Sequence, residues 1–123
     1  MTQSIRILLV DDETLVLSAL RRVLVRRGFE VETANSGPDA LRRLETATYE
    51  IVLSDYKMPG MTGAELLREI AVRWPAIHRC LLTAQADPEV LAAAKADGTI
   101  HHAFRKPWDN AELVAALKLV AAS

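Results

Sequence analysis

The sequence predicts an α/β fold, a (βα)5 doubly wound parallel five-stranded sheet. Three observations carry this prediction. Short runs rich in Val, Ile and Leu recur along the chain, segments with helical apolar periodicity separate them, and the repeat is roughly 20–25 residues, enough for one strand and one crossover helix.

The expected strands are IRILLV (5–10), EVETA (30–34), EIVLS (50–54), RCLLT (79–83) and HAFR (102–105). The first, third and fourth are almost continuously apolar, as strands covered on both faces are. In helix one, Val16, Leu20, Val23 and Leu24 fall on one stripe, and Gly28 sits where a left-handed cap would end it. Helix two opens with Ser36 as cap and Pro38 in its first turn. TGAE (62–65) has the spacing of a capping box before helix three, whose stripe is Leu67, Ile70, Ala71 and Trp74. Asp87 and Pro88 open helix four, PEVLAAAKADG, which Gly98 closes; its Ala-rich surface predicts the least firmly packed helix. DNAE (109–112) starts helix five, with Asp109 in the capping position and a stripe of Leu113, Leu117, Val120 and Ala121. No linker, repeat or low-complexity tract interrupts the pattern, so residues 1–123 are expected to form a single domain.

Composition excludes several classes. The chain has 123 residues, 50% hydrophobic and 25% charged, with 15 basic against 16 acidic side chains and a net charge of −1. That balance gives no electrostatic footprint for nucleic acid or a membrane surface, and the arginine pairs 21–22, 26–27 and 42–43 are expected to be solvated helix faces. A single cysteine, Cys80, rules out an internal disulfide and is expected to be a buried apolar residue. No apolar run approaches the roughly 20 residues of a membrane span. MTQSIRILLV lacks the layout of a signal peptide, so a cytoplasmic location is expected.

The chemistry lies at the strand ends. Ligands of open parallel sheets bind beyond the carboxyl ends of the strands. Asp11 and Asp12 follow strand one, Asp55 follows strand three, Thr83 closes strand four and Lys106 follows strand five, so all are expected at one edge. Two carboxylates about 4 Å apart repel by about 4 kcal/mol at an effective dielectric near 20. Either one acid is protonated or a cation sits among them. Hard oxygen anions suit Mg²⁺ (or Mn²⁺). With Lys106, the set would hold a doubly charged tetrahedral group, with one carboxylate as nucleophile.

These residues give the chain its resemblance. The pair DD after strand one, DYKMPGMTG at 55–63, LLTA at 81–84 and KP at 106–107 stand in the order and spacing of the response-regulator receiver domains of two-component signalling, which are CheY-like and flavodoxin-like in fold. The likeness covers essentially the whole chain. It implies that Asp55 is the phosphoacceptor, taking a phosphoryl group from a sensor histidine kinase or phosphotransfer protein. It implies that Asp12 binds Mg²⁺ directly, Asp11 largely through water, Asp55 also, and Lys57 through its backbone carbonyl. Thr83, the backbone N–H of Ala84, and Lys106 would hold phosphoryl oxygens. The Lys106–Pro107 bond would be cis, and Gly63 would permit a tight turn into helix three.

Two positions depart from the family. Its usual switch aromatic, three residues before the lysine, is Ala103 here; Phe104 is adjacent, and strand alternation turns it to the other face. Lys57 and Gln85 occupy the positions that tune dephosphorylation, and Lys57 predicts slow to moderate hydrolysis. His78, His101 and His102 are read as structural, since adjacent strand residues make poor chelate geometry, and Met58 and Met61 as packing beside the site.

Two other functions are weaker. An aspartyl-phosphate phosphohydrolase would carry a second acid where Lys57 stands, and a flavodoxin would carry a polar phosphate loop where DDETL stands. The chain ends at Ser123, so it either acts alone or is a fragment of a longer regulator. KPWD resembles receivers attached to phosphodiesterase or sensor-kinase modules. Homodimerisation through helix four, strand five and helix five is expected, with no direct nucleic-acid contact and no membrane association.

Overall fold

The computed structural model describes residues 4–84 and 87–122. In chain order the elements are β1 (Arg6–Val10), α1 (Thr14–Arg26), β2 (Glu30–Ala34), α2 (Gly37–Thr46), β3 (Ile51–Asp55), α3 (Gly63–Arg73), β4 (His78–Thr83), α4 (Pro88–Ala96), β5 (His102–Arg105) and α5 (Asn110–Ala122). The strands form one parallel sheet in the order β2-β1-β3-β4-β5. The three almost continuously apolar runs are therefore the three interior strands, and the two mixed runs are the edges.

Strand alternation sorts the core into two layers. Leu8 and Val10, Val52 and Leu81 face α2, α3 and α4, where they meet Ala40, Leu44, Leu66, Leu67, Ile70 and Ala94. Ile7, Leu9, Ile51, Leu53, Cys80 and Leu82 face α1 and α5, against Leu17, Leu20, Leu24, Leu113, Val114 and Leu117. Each such leucine contributes about 1.5–3 kcal/mol by leaving water. The two layers together fix strand register, because a slip of one residue would exchange them. Ala103 lies on the first layer and Phe104 on the second, as alternation required. Cys80 is fully buried, and burial pushes its thiol up to about 12.

The punctuation read from the sequence is in place. Ser36 Oγ accepts from Asp39 N at 3.2 Å, Asp87 Oδ1 from Glu89 N at 3.0 Å and Asp109 Oδ1 from Glu112 N at 2.9 Å. Thr62 and Glu65 complete the capping box reciprocally, at 3.1 and 3.0 Å. Gly28 has φ of +95°, where a Cβ would be strained, and Gly98 is likewise left-handed. The Lys106–Pro107 bond is cis. Within α4 only Ala94 is buried, in keeping with its thin apolar stripe.

Four expectations need correction. The buried stripe of α1 is Leu17, Leu20 and Leu24, with Val16 and Val23 only half-buried, because the helix turns its i, i+3, i+7 line toward the sheet. Asp55 is the last residue of β3 and pairs across to Leu82 of β4, so the ladder itself orients it. Arg43 is half-buried and ion-paired with Glu32 and Asp39 instead of being a solvated face; with Arg6 and Tyr49 it closes a polar network over edge strand β2. Gly63 is needed for space and not for a left-handed turn: its φ is not positive, and a Cβ there would overlap the carbonyl oxygen of Asp55.

That overlap generates a prediction. Gly63→Ala must push α3 off the end of β3, and overpacking of this kind costs about 1–3 kcal/mol. A lower midpoint in denaturant unfolding is expected; an unchanged midpoint would show that the helix start yields freely.

Candidate functional site

From β1 the chain moves out to β2 on one side, then returns to β3 on the other, so its direction reverses between β1 and β3. At such a reversal the flanking loops diverge and leave a crevice beyond the strand ends. Asp11 and Asp12 leave β1 into it and Asp55 ends β3 beside them. One carboxylate oxygen from each lies within 4.8 Å of the others. Asp11 and Asp55 are buried and Asp12 is exposed, giving the cluster one open side.

Lys106 comes from the far side of the sheet. Its backbone N–H is held by the Thr83 carbonyl at 2.9 Å, and its Nζ reaches Asp55 Oδ1 at 2.5 Å. Thr83 is buried at the end of β4. The backbone at Asp55 and Tyr56 is fixed by three bonds: Ser54 Oγ donates to the Asp55 carbonyl at 2.9 Å, Tyr56 N donates to Leu82 O at 2.9 Å, and Gly63 N donates to Tyr56 O at 2.8 Å. A cavity of about 460 Å³ opens over these groups, lined by Glu13, Asp55, Tyr56, Lys57, Thr83, Ala84 and Lys106.

The electrostatics are unbalanced. Asp11 Oδ1 accepts from Glu13 N at 2.9 Å, but Oδ2 is buried without a hydrogen-bond partner among the described residues. Burial is the main reason that the Asp11 carboxyl is pushed up to about 6; the neighbouring Asp55 and Asp12 charges add to it, while the Glu13 N–H and Lys106 oppose it. An orphaned oxygen among three carboxylates is the signature of a group waiting for a cation, and an all-oxygen donor set fits a hard divalent ion.

Every strand-end residue singled out in the sequence thus reaches one rim. Asp11, Asp12 and Asp55 form the acidic corner, with Thr83, Ala84, Lys57 and Lys106 around the cavity. Pro107 is exposed behind Lys106, and Gln85 lies outside the described residues. Glu13 and Tyr56 were given no role from sequence, although Glu13's place two residues past Asp11 put it on the same loop. Met58 is buried and Met61 packs against its layer, as expected. The histidines stay away: the His101 ring accepts a backbone N–H and the His102 ring packs on Phe104.

The family described as the response regulator receiver domain matches residues 7–118. The chain belongs to that family. Among curated relatives, this receiver chain is 38% identical over 102 residues to the hydrogenase transcriptional regulatory protein HoxA of Cupriavidus necator, covering 83% of this chain and 21% of that protein. The chain thus spans about a fifth of the length of that relative. Among solved structures it is similar to the signal receiver domain of an HD domain-containing protein from Pseudomonas fluorescens, at TM-score 0.90 and 32% identity, covering 98% of this chain and 96% of that one. It is also similar to the response regulator protein TrrA from Thermotoga maritima, solved in complex with Mg²⁺ and BeF, at TM-score 0.84 and 29% identity, covering 94% and 98%.

The raised Asp11 carboxyl has a stability consequence. Its folded value, about 6, lies above the ordinary 3.8, so the folded receiver binds the extra proton between them. The stabilisation is complete below 3.8 and is lost as pH rises through about 6. At pH 7 without metal the ionised Asp11 therefore destabilises the fold, by on the order of 1–3 kcal/mol. Asp11→Asn is expected to raise the melting temperature of chelator-treated protein at pH 7, with the gain shrinking toward pH 4, and to blunt the stabilisation given by added Mg²⁺. A variant that melts lower than wild type at pH 7 would contradict this account.

Proposed function

We propose that the chain, as one receiver unit over residues 1–123, accepts a phosphoryl group on Asp55 from the phosphohistidine of a sensor histidine kinase or phosphotransfer protein. The observation that carries the reading is the Lys106 ammonium held 2.5 Å from Asp55, beside an Asp11 oxygen left without a partner. An Asp55 carboxylate oxygen attacks phosphorus, the P–N bond breaks, and its electron pair returns to the histidine ring, which takes up a proton. Asp12 would hold the metal directly, Asp11 largely through water, and Asp55 and the Lys57 carbonyl would complete the protein's share. When bound, Mg²⁺ (or Mn²⁺) supplies positive charge to the phosphoryl oxygens. Lys106 pairs with one of those oxygens, and the Thr83 hydroxyl with the Ala84 N–H takes another.

The same groups remove the phosphoryl group by water attack, so the domain catalyses its own phosphorylation and dephosphorylation and does not turn over an external substrate. Lys57, exposed at the cavity wall, shields the acyl phosphate, and Gln85 is the second tuning position. The fold contains no helix, among the described residues, long and apolar enough to cross a membrane. The reading places the domain in the cytoplasm, and a net charge of −1 gives it no electrostatic footprint for nucleic acid. Output passes through α4, β5 and α5, by conformational change or dimerisation; with Ala103 in place of an aromatic, it runs through the backbone after Thr83.

Acetyl-phosphate labelling with Mg²⁺ tests the core of the reading. Label on wild type and none on Asp55→Asn is expected, with Lys57→Ala losing label several-fold faster; equal label on wild type and Asp55→Asn would remove the proposed acceptor. Sedimentation with and without beryllofluoride tests dimerisation: a rise in mass is expected, and an unchanged mass would count against that output.

A further inference from the structure

At the opposite edge of the sheet from the acidic rim, β4 carries a charge into the interior. Arg79 is 5% exposed, and no carboxylate among the described residues is ion-paired with it. Among the described residues its guanidinium donates only to backbone carbonyls: Nε to Thr99 at 3.0 Å, Nη2 to Gly98 at 2.8 Å, and Nη1 to Ile77 at 2.8 Å and Pro75 at 3.2 Å. Two of these carbonyls follow α4 and two belong to the α3–β4 connection, so one side chain fastens both loops. A cation bound this way stays buried only while every carbonyl remains in place.

The backbone of the same residue is fastened by His101. His101 N donates to Arg79 O at 2.7 Å, and Arg79 N donates back to His101 Nδ1 at 3.0 Å. The β4–β5 pairing begins at Cys80 and His102, so the histidine ring extends the ladder ahead of its first strand pair. A ring nitrogen accepts only while it carries no proton. The attachment of α4 leans on this corner, because the helix buries Ala94 alone and packs only half-buried Leu91 beside it, while Thr99 and Ile100 just past it are buried.

We propose that Arg79 and His101 form a pH-operated clasp on the C-terminal end of α4. A proton on His101 Nδ1 sets donor against donor at the Arg79 N–H and adds a second positive charge beside a buried guanidinium. The α4–β5 connection then opens while the central strands keep their pairing.

The surroundings offer that charge no relief. From β4, the Arg79 guanidinium and the His78 ring, 5.5 Å away, face His101. From the segment before β3, Glu50 contributes its backbone carbonyl to His78 N at 3.0 Å. At the end of α4, Asp97 is committed to Thr99 N at 2.9 Å and lies 4.0 Å from Arg68. The neighbouring His102 ring turns to Phe104. Although His101 is exposed overall, the burial of its ring, then Arg79, then His78 hold it below the ordinary 6.5. The folded corner therefore binds the proton less readily than the open one. Its stability is complete above about 6.5 and declines as pH falls through the depressed folded value.

Amide NMR on the intact chain between about pH 7.5 and pH 5 tests the clasp, independently of phosphorylation. The His101 ring titration and the amide shifts of Arg79 and 98–101 are expected to trace one curve. Exchange protection of the Arg79 N–H, corrected for intrinsic rates, is expected to fall about tenfold, the loss of roughly one hydrogen bond, while β1 and β3 amides keep theirs. His101→Asn places an oxygen acceptor that does not titrate where Nδ1 stood, and its Arg79 protection is expected to stay flat. His78→Gln removes the second ring charge and is expected to move the wild-type response to higher pH. The inference is overturned if Arg79 protection holds while the His101 ring titrates, or if His101→Asn loses protection as wild type does. Should the Asn variant fail to fold, the wild-type ring and amide curves decide by coinciding or not.

Discussion

Three carboxylates at the end of two neighbouring parallel strands repel one another, and much of this structure is arranged around that repulsion. Asp11 and Asp55 are buried where solvent cannot screen them, and only Asp12 faces water. The fold answers with one cation of its own, Lys106, delivered from β5 and set against Asp55. It leaves Asp11 Oδ2 unanswered. A site with two negative charges too many is unstable by itself and well suited to a divalent ion with a charged ligand. The same imbalance that weakens the metal-free fold is what would make the site bind.

The scaffold makes that arrangement stiff. Interior strands buried on both faces bring Asp55 to the end of a ladder that pairs with β4, and Ser54 and the start of α3 grip its backbone. Gly63 lets α3 begin against the Asp55 carbonyl, so Asp55 and the helix behind it are one packed unit. Rigidity is not spread evenly. α4 buries a single alanine and is held at its far end by backbone carbonyls gathered around Arg79. The acidic rim thus sits on the stiff strand ends, and the lightly attached α4 is the soft element beside it.

Membership of the receiver family agrees with the fold, the acidic corner and the lysine, and the relatives named above include a transcriptional regulator several times longer than this chain. The part of that relative matched here is about a fifth of its length, so its activity as a whole protein is not carried over to this chain.

The sequence by itself determined the alternation of strands and helices, the caps, the two-layer core and the rim on which Asp11, Asp12, Asp55, Thr83 and Lys106 meet. Those features are local: periodicity, turn chemistry and the rule that strand ends face one way act over a few residues at a time. Tertiary structure alone decided what depends on distance between segments far apart in the chain. The exclusion of a side chain at Gly63 comes from a carbonyl eight residues earlier that folding brings into contact. The stripe of α1 shifted from Val16 to Leu17 because the sheet, and not the helix, chooses which face is buried. For Arg79, nothing in RCLLT reveals that the Gly98 and Thr99 carbonyls, about twenty residues on, join those of Pro75 and Ile77 around its charge.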